Sequence, residues 1–315
     1  MSKNFVNRVN ISGYLFSHNL TERVSQSGAT YYRGTIQVAT DEDAINVVKV
    51  NVPFLAGREK KKDGSENANF AALKSIVEDA TTYEAAGKEA TKIRIDGYAG
   101  VNDFVDREGN MASPKEIQAS FIHLNDAREF GATFDIDVLL ARCVERDFDD
   151  QDSVVTVSGY TWNFFKEISP IDFTVRVPGG KSYFLDKDLS SSNPLLTEVK
   201  GNIVSSTIVR EIEEESAFGD PIVRKTTRSV RSWDIEWAKP EPYDWDDEAT
   251  LTKKELKEML AAREEHLAEV KQRNAEYLAS RNGNAGFPES KPAAKEVAKV
   301  VFDEEDDSDM DSFPF

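Results

Sequence analysis

The chain has 315 residues, of which 39% are hydrophobic and 30% charged, enough apolar material for the cores of two ordinary domains. Its 39 Lys and Arg stand against 57 Asp and Glu, a net charge of -18, which excludes a uniformly basic surface but not a local gathering of cations. No run of about 18 apolar residues suggests a membrane span, and one cysteine, Cys143, rules out an intramolecular disulfide. The opening "MSKNFVNRVNISGYLF" has no uninterrupted apolar stretch of the signal-peptide kind, which predicts a cytoplasmic protein. His18, His123 and His266 are scattered, so neither a metal site nor a cofactor is expected.

Three strands open the chain. Val9 to Phe16 alternates, with Val9, Ile11 and Leu15 on one side and Asn10, Ser12, Tyr14 and Phe16 on the other. In "TYYRGTIQVAT" (30–40) Ile36 and Val38 oppose Tyr31, Arg33 and Gln37, and "INVVKVNVPFLA" (45–56) is predicted to turn Val48, Val50, Val52 and Phe54 inward. After the charged loop "GREKKKDGSENAN", Phe70, Leu73, Ile76 and Val77 fall at helical spacing, with Gly87 as a stop. Two further strands, 91–104 and 115–124, are joined by "DREGNMASP", which has hairpin chemistry.

Residues 131–240 are again rich in strands and are predicted to form a second barrel-like domain, although "SYFLDKDLSSSNPLL" is a poor helix where such a barrel would want one. After the connector "AKPEPYDWDDEA", the region 250–282 is predicted to hold an amphipathic helix, from about 252 to 281, opened by a Thr252/Glu255 capping box. Its stripe of Leu256, Met259, Leu260, Leu267, Val270, Tyr277 and Leu278 can pack on the same chain or drive self-association. Residues 283–315 are expected to be a flexible linker and an acidic tail, "DEEDDSDMDSFPF" at its end, because repelling carboxylates offer little apolar surface to offset ordering.

Three strands, a helix and two strands is the order of an OB-fold, a five-stranded Greek-key barrel, so the fold class is mainly β, with an OB domain at 1–128 and an OB-like one at 131–240. Residues 7–127 resemble the DNA-binding domain of bacterial-type single-stranded DNA-binding proteins. "NRVNISGYL" is similar to that family's first strand, "GTIQVAT" to its second, and "IRIDGYAGVNDFVDREGN" to its fourth strand and hairpin. The resemblance puts Phe104 where the family carries a base-stacking tryptophan. The family's other tryptophan, on the third strand, has no counterpart beside Val47, Lys49 and Asn51. The ending also resembles the family's: linker, acidic run, then Phe313, Pro314 and Phe315. It implies that a tip containing Asp306, Asp307, Asp309 and Asp311 docks on a replication or recombination protein: a helicase, polymerase, primase or recombinase. A homodimer would present the four barrels that simpler relatives reach as tetramers.

A protein that ignores base sequence meets two regular features of a single strand, its charged backbone and its flat bases. Cations answer the first and aromatic faces the second. On the outward side of the first barrel the alternation collects Tyr14, Tyr31, Arg33, Lys49, Lys92, Arg94 and Tyr98, with Phe104 and Arg107 on the hairpin and Arg58, Lys60, Lys61 and Lys62 in the basic loop. Each also has a plainer reading, as a cross-strand partner or a solvated charge. Trp162, Phe164, Phe165, Trp233 and Trp237 are either a second stacking surface or core. The expected function is sequence-independent coating of single-stranded DNA in replication, recombination and repair, in a bacterium or phage-infected cell, without enzymatic activity. No Walker-type loop, His-Glu zinc motif or nucleophile elbow occurs, and "DFDDQD" lacks the glycine and terminal glutamate of an EF-hand. The rival expectation is an acidic DNA mimic or an assembly protein that uses OB barrels as scaffolding.

Overall fold

A computed structural model describes residues 5–282 apart from 26–27, 127–128, 149–150, 215–221 and 246–250. The alternation of "NRVNISGYLFSH" becomes β1 (Asn7–His18), which buries Val9, Ile11 and Leu15 and leaves Asn10 exposed. Then come β2 (Thr21–Val24), β3 (Thr30–Ala39), β4 (Val47–Val52), α1 (Phe54–Gly57), α2 (Ala68–Glu78), α3 (Tyr83–Ala86), β5 (Lys92–Val101), the short pair β6 (Phe104–Val105) and β7 (Met111–Ala112), and β8 (Lys115–Leu124).

Pairing closes the first barrel. β1 pairs with β3 and β3 with β4, both antiparallel; β4 meets β8 in parallel at Asn51 and Gln118; β8 pairs back to β5 and β5 to β1. This is the OB connectivity, with α2 between the third and fourth barrel strands, where Leu73 and Ile76 enter the core. Gly13 permits the tight crossing of the first two strands, since a Cβ there would run into the Ala39 carbonyl oxygen.

The same cycle recurs in β9 (Gly131–Phe148), β10 (Gln151–Trp162), β11 (Ile168–Val175), β12 (Leu195–Glu214) and β13 (Ile222–Ala238), with the parallel contact at Thr174 and Asp234. Gly159 repeats the role of Gly13, against the Leu139 carbonyl. As expected, "SYFLDKDLSSSNPLL" is a poor helix, helical only over its first four residues, and the helix between the third and fourth strands begins upstream of it. α4 (Pro178–Leu185) starts on a proline preset for a helix and buries Phe184 in the core.

The two barrels share one eleven-stranded sheet because β1 also pairs with β9, from Asn7 opposite Ile136 to Ser12 opposite Gly131. Their cores are continuous, with Phe134 of β9 packed on Phe173 and Trp233. The β12–β13 ladder also reaches back to the first barrel. Asn46 bridges Ser206, its amide donates to the Ile203 carbonyl at 3.3 Å, and its Oδ1 accepts from Ser205 N–H at 2.5 Å.

Two sequence expectations fail at chain breaks. The third strand ends at Val52 rather than running to 56, because Pro53 begins a helical turn, and this leaves Phe54 44% exposed instead of inward. The helix expected to continue to Gly87 stops at Glu78, where Thr81 and Thr91 exchange hydrogen bonds that draw the chain toward β5 and leave Val77 exposed.

α5 (Lys253–Asn282) starts on the expected capping box: Thr252 Oγ1 accepts from Glu255 N–H at 3.2 Å, and Glu255 Oε2 accepts from Thr252 N–H at 3.1 Å. Leu256 and Met259 are buried with Leu139, Trp162, Ile168 and Leu196 of the second barrel, so the first half of the stripe packs on its own chain. Tyr277 and Leu278, near the other end, are exposed.

Candidate nucleic-acid interface

Period-2 alternation sends Tyr31, Arg33, Thr35 and Gln37 of β3 outward, and Lys49 and Asn51 of β4 beside them. Register makes neighbours of Gln37 and Lys49 and of Thr35 and Asn51, while on the other edge of β3 Arg23 and Thr21 of β2 stand opposite Tyr31 and Arg33. Tyr31 meets the displaced Phe54 edge to face, with ring centroids 4.9 Å apart, and its backbone bridges Arg58. Arg33 and Lys49 are exposed. The loop after Arg58 closes on itself through a Lys60–Glu66 bridge, Lys61 N–H to the Ser65 carbonyl at 2.8 Å and Asp63 accepting from Ser65, so that Lys60, Lys61 and Lys62 lie in solvent. The result is an aromatic pair rimmed by cations across β2, β3 and β4.

Beyond Lys49 this surface runs into a groove of about 650 Å³ between the barrels. One wall carries Phe104 and Lys115 of the first barrel, the other Arg231 and Trp233 of the second, with Glu116 between. Phe104 is 41% exposed on a hairpin whose turn is held by Asp106, accepting from Glu108 and Asn110 N–H groups, and by Gly109 at φ +86°. Lys115 pairs with Asp172 at 2.9 Å and sits 5.9 Å above the Trp233 ring. Burial pushes the Glu116 carboxyl up, against the pull of Lys49, and Asn51 donates to it.

The structure brings together Tyr31, Arg33, Lys49, Arg58, Lys60, Lys61 and Lys62, and sets Phe104 and exposed Arg107 on the hairpin at the groove. The remaining four expected residues are elsewhere. Tyr14 is corrected: only 7% exposed, it packs on Tyr83 and Phe130 and offers no face to a base. Lys92 stands opposite Tyr14 and 5.9 Å over Phe130, and Arg94 is paired with Asp126 at 2.9 Å and Asp96 at 3.5 Å. Tyr98 is half-buried near Glu167 of the second barrel, and burial raises its hydroxyl pKa. The cause is closure: residues that alternate outward on β1 and β5 leave the barrel on a different side from those on β3 and β4.

Sequence reasoning missed Arg23, Phe54, Lys115 and Arg231. Pro53 was the available signal for Phe54; nothing local marks a residue of β13 as a neighbour of β4. The second set of aromatics divides. Trp162 and Trp233 are core at 2% and 7% exposed, whereas Phe164, Phe165 and Trp237 reach solvent, the last with Lys200 5.2 Å over its ring. The tail residues Asp306, Asp307, Asp309, Asp311, Phe313, Pro314 and Phe315 lie outside the described residues.

The architecture defines a class, a tandem of OB-topology barrels joined strand to strand. Within that class the chain belongs to the YorF family, whose model matches residues 6–273. No curated protein matches it. Among solved structures it is similar to a deletion mutant of the single-stranded DNA binding protein from Thermus aquaticus, at 15% identity and a TM-score of 0.48 over 79% of this chain and 100% of that one. The wild-type Thermus aquaticus protein aligns at 15% identity and a TM-score of 0.45 over 75% of this chain and 93% of its own. A replication protein A heterotrimer bound to ssDNA gives 9% identity and a TM-score of 0.20, over 73% of this chain and 50% of that one. Among the described residues, no helix is long and apolar enough to cross a membrane, and no group of three or more His, Cys, Asp or Glu could hold a metal ion.

Proposed function

We propose that this protein binds single-stranded DNA without regard to base sequence, along the β2–β3–β4 face of the first barrel and into the groove beside Phe104. The observation that carries this reading is the aromatic pair of half-buried Tyr31 and exposed Phe54, flanked by Arg23, Arg33 and Arg58, with Lys49 further along the same face of a molecule of net charge -18. Cations that displace counterions give affinity that weakens with salt, and each base stacked on a ring adds roughly 1–3 kcal/mol whatever its identity. Nothing in this task requires a bond to be made or broken, so the protein acts by occupancy: it coats exposed strands and keeps them from reannealing and from nucleases. Recruitment of a replication or recombination enzyme falls to the acidic C-terminal tip. Phe313 and Phe315 supply apolar anchors there, and the carboxylates steer it toward a basic pocket.

Fluorescent oligo-dT and a duplex of equal length provide the test. The expected result is clear preference for the single strand, with affinity falling as salt rises. The overall acidity favours a second reading, an acidic DNA mimic, which would bind neither probe. Equal affinity for both probes would also defeat the proposal.

A further inference from the structure

Arg263 lies about a third of the way along α5, outside both barrels, yet it touches both. Its Nη2 donates to Asp103 Oδ1 at 2.9 Å and to Ser113 Oγ at 3.2 Å, and its Nη1 to Asp103 Oδ2 at 3.3 Å. The same Nη1 donates to the Ile168 carbonyl, at the first residue of β11, at 3.2 Å. Asp103 immediately precedes Phe104 on the outgoing arm of the hairpin, Ser113 follows β7 on the returning arm, and the two are hydrogen-bonded to each other at 2.5 Å. The Arg263 and Asp103 side chains are only 11% and 6% exposed. A forked guanidinium on a carboxylate at that depth fixes direction as well as distance.

We infer that Arg263 is a positioning residue for the nucleic-acid groove: by clasping the base of the β6–β7 hairpin to the second barrel it sets where Phe104 stands against the opposite wall. This rests on the function proposed above and adds a role for α5 in it. The groove's walls come from different barrels, Phe104 and Lys115 on one side and Arg231 on the other, so its width depends on how the barrels are tied beside it. A ring that stacks on a base contributes only when held at the right separation, and loosening its support removes part of that contribution without touching the ring.

The test is a double-mutant cycle on oligo-dT affinity, using the full chain with Arg263→Ala, Phe104→Ala and both, and hydrogen exchange of residues 102–113 measured without DNA. Arg263→Ala should weaken binding by about five- to tenfold in the wild-type background and less than twofold once Phe104 is gone, because it acts through that ring. Hydrogen exchange should quicken in the hairpin, with the core strands of both barrels unchanged. Arg263→Lys, which keeps the charge but not the fork, should fall between, and together with Asp103→Asn it serves if Arg263→Ala does not fold. Equal losses in both backgrounds would overturn the inference, as would unchanged hairpin exchange. Faster hairpin exchange in a protein whose wild type binds no oligo-dT would instead defeat the proposed function and leave the clasp standing.

Discussion

Phe104 keeps 41% of its surface in solvent at the edge of a groove, on a hairpin whose base Arg263 holds. If it stacks a base, Phe104→Ala weakens oligo-dT binding by about 1–3 kcal/mol and leaves thermal stability nearly unchanged. Lys49→Ala should act differently, flattening the slope of log K against log salt by about 0.7, the share of one phosphate contact on a single strand. Fluorescence titration across a salt series measures both. Another single residue carries a pH dependence. Asp137 is 5% exposed, accepts from Val6 N–H at 2.7 Å and from the Tyr243 hydroxyl at 3.0 Å, and burial pushes its carboxyl up to about 6. A folded-state pKa raised above 3.8 means that the native protein holds a proton which the unfolded chain has already released. The stabilisation from this proton is complete below about pH 4 and is lost as pH rises through about 6. Asp137→Asn should therefore gain stability relative to wild type between pH 5 and 7.5, on the order of 2 kcal/mol. Melting curves of both proteins across that range check it, and a constant difference would refute it.

At the scale of the element, the hairpins and α5 explain more than the barrels do. The groove is lined by Phe104 of β6 and by Lys49 and Asn51 of β4 from the first barrel, and by Ser205 of β12 and Arg231 of β13 from the second. The first turns of α5 are the part that packs: Leu256 is fully buried and Met259 nearly so, against Trp162 and Ile168. Leu256→Ala should cost about 2–5 kcal/mol of the helix's attachment. Because α5 is joined to the barrels by side chains and not by sheet hydrogen bonds, the loss should be local. Hydrogen exchange is expected to quicken over 253–270 with β1, β5 and β9 unaffected, whereas a uniform rise across the chain would mean that the helix is part of one cooperative unit.

For the whole molecule the governing quantity is charge. A net -18 repels a polyanion at long range, so binding requires the cations of β2, β3, β4 and the 58–62 loop to prevail at short range, where screening protects them from distant carboxylates. The last ten residues hold four of those carboxylates, Asp306, Asp307, Asp309 and Asp311. Deleting 306–315 is expected to leave oligo-dT affinity intact or to tighten it, most visibly at low salt, and to abolish capture of any partner that reads the Phe-Pro-Phe end. Loss of DNA binding on that deletion would contradict the division of labour between barrel and tail.

Features that depend on near neighbours were legible in the chain. Val9, Ile11, Ile36, Val38, Val48 and Val50 could be read as core because a strand turns its side chains to alternate faces. The hairpin after Asn102 and the Thr252/Glu255 cap were likewise legible, since their hydrogen bonds close within a few residues. Which outward residues share a face was settled by the closure of the barrels. Closing a sheet into a barrel points successive strands in different directions, so Tyr14 was lost to a satellite core while Tyr31 and Lys49 stayed on one outward face of β3 and β4. The packed fold also decided that Arg231 lines the groove opposite Phe104 and that Arg263 holds the base of its hairpin, because contacts across more than a hundred residues depend on how whole barrels pack and leave no periodic trace in the chain.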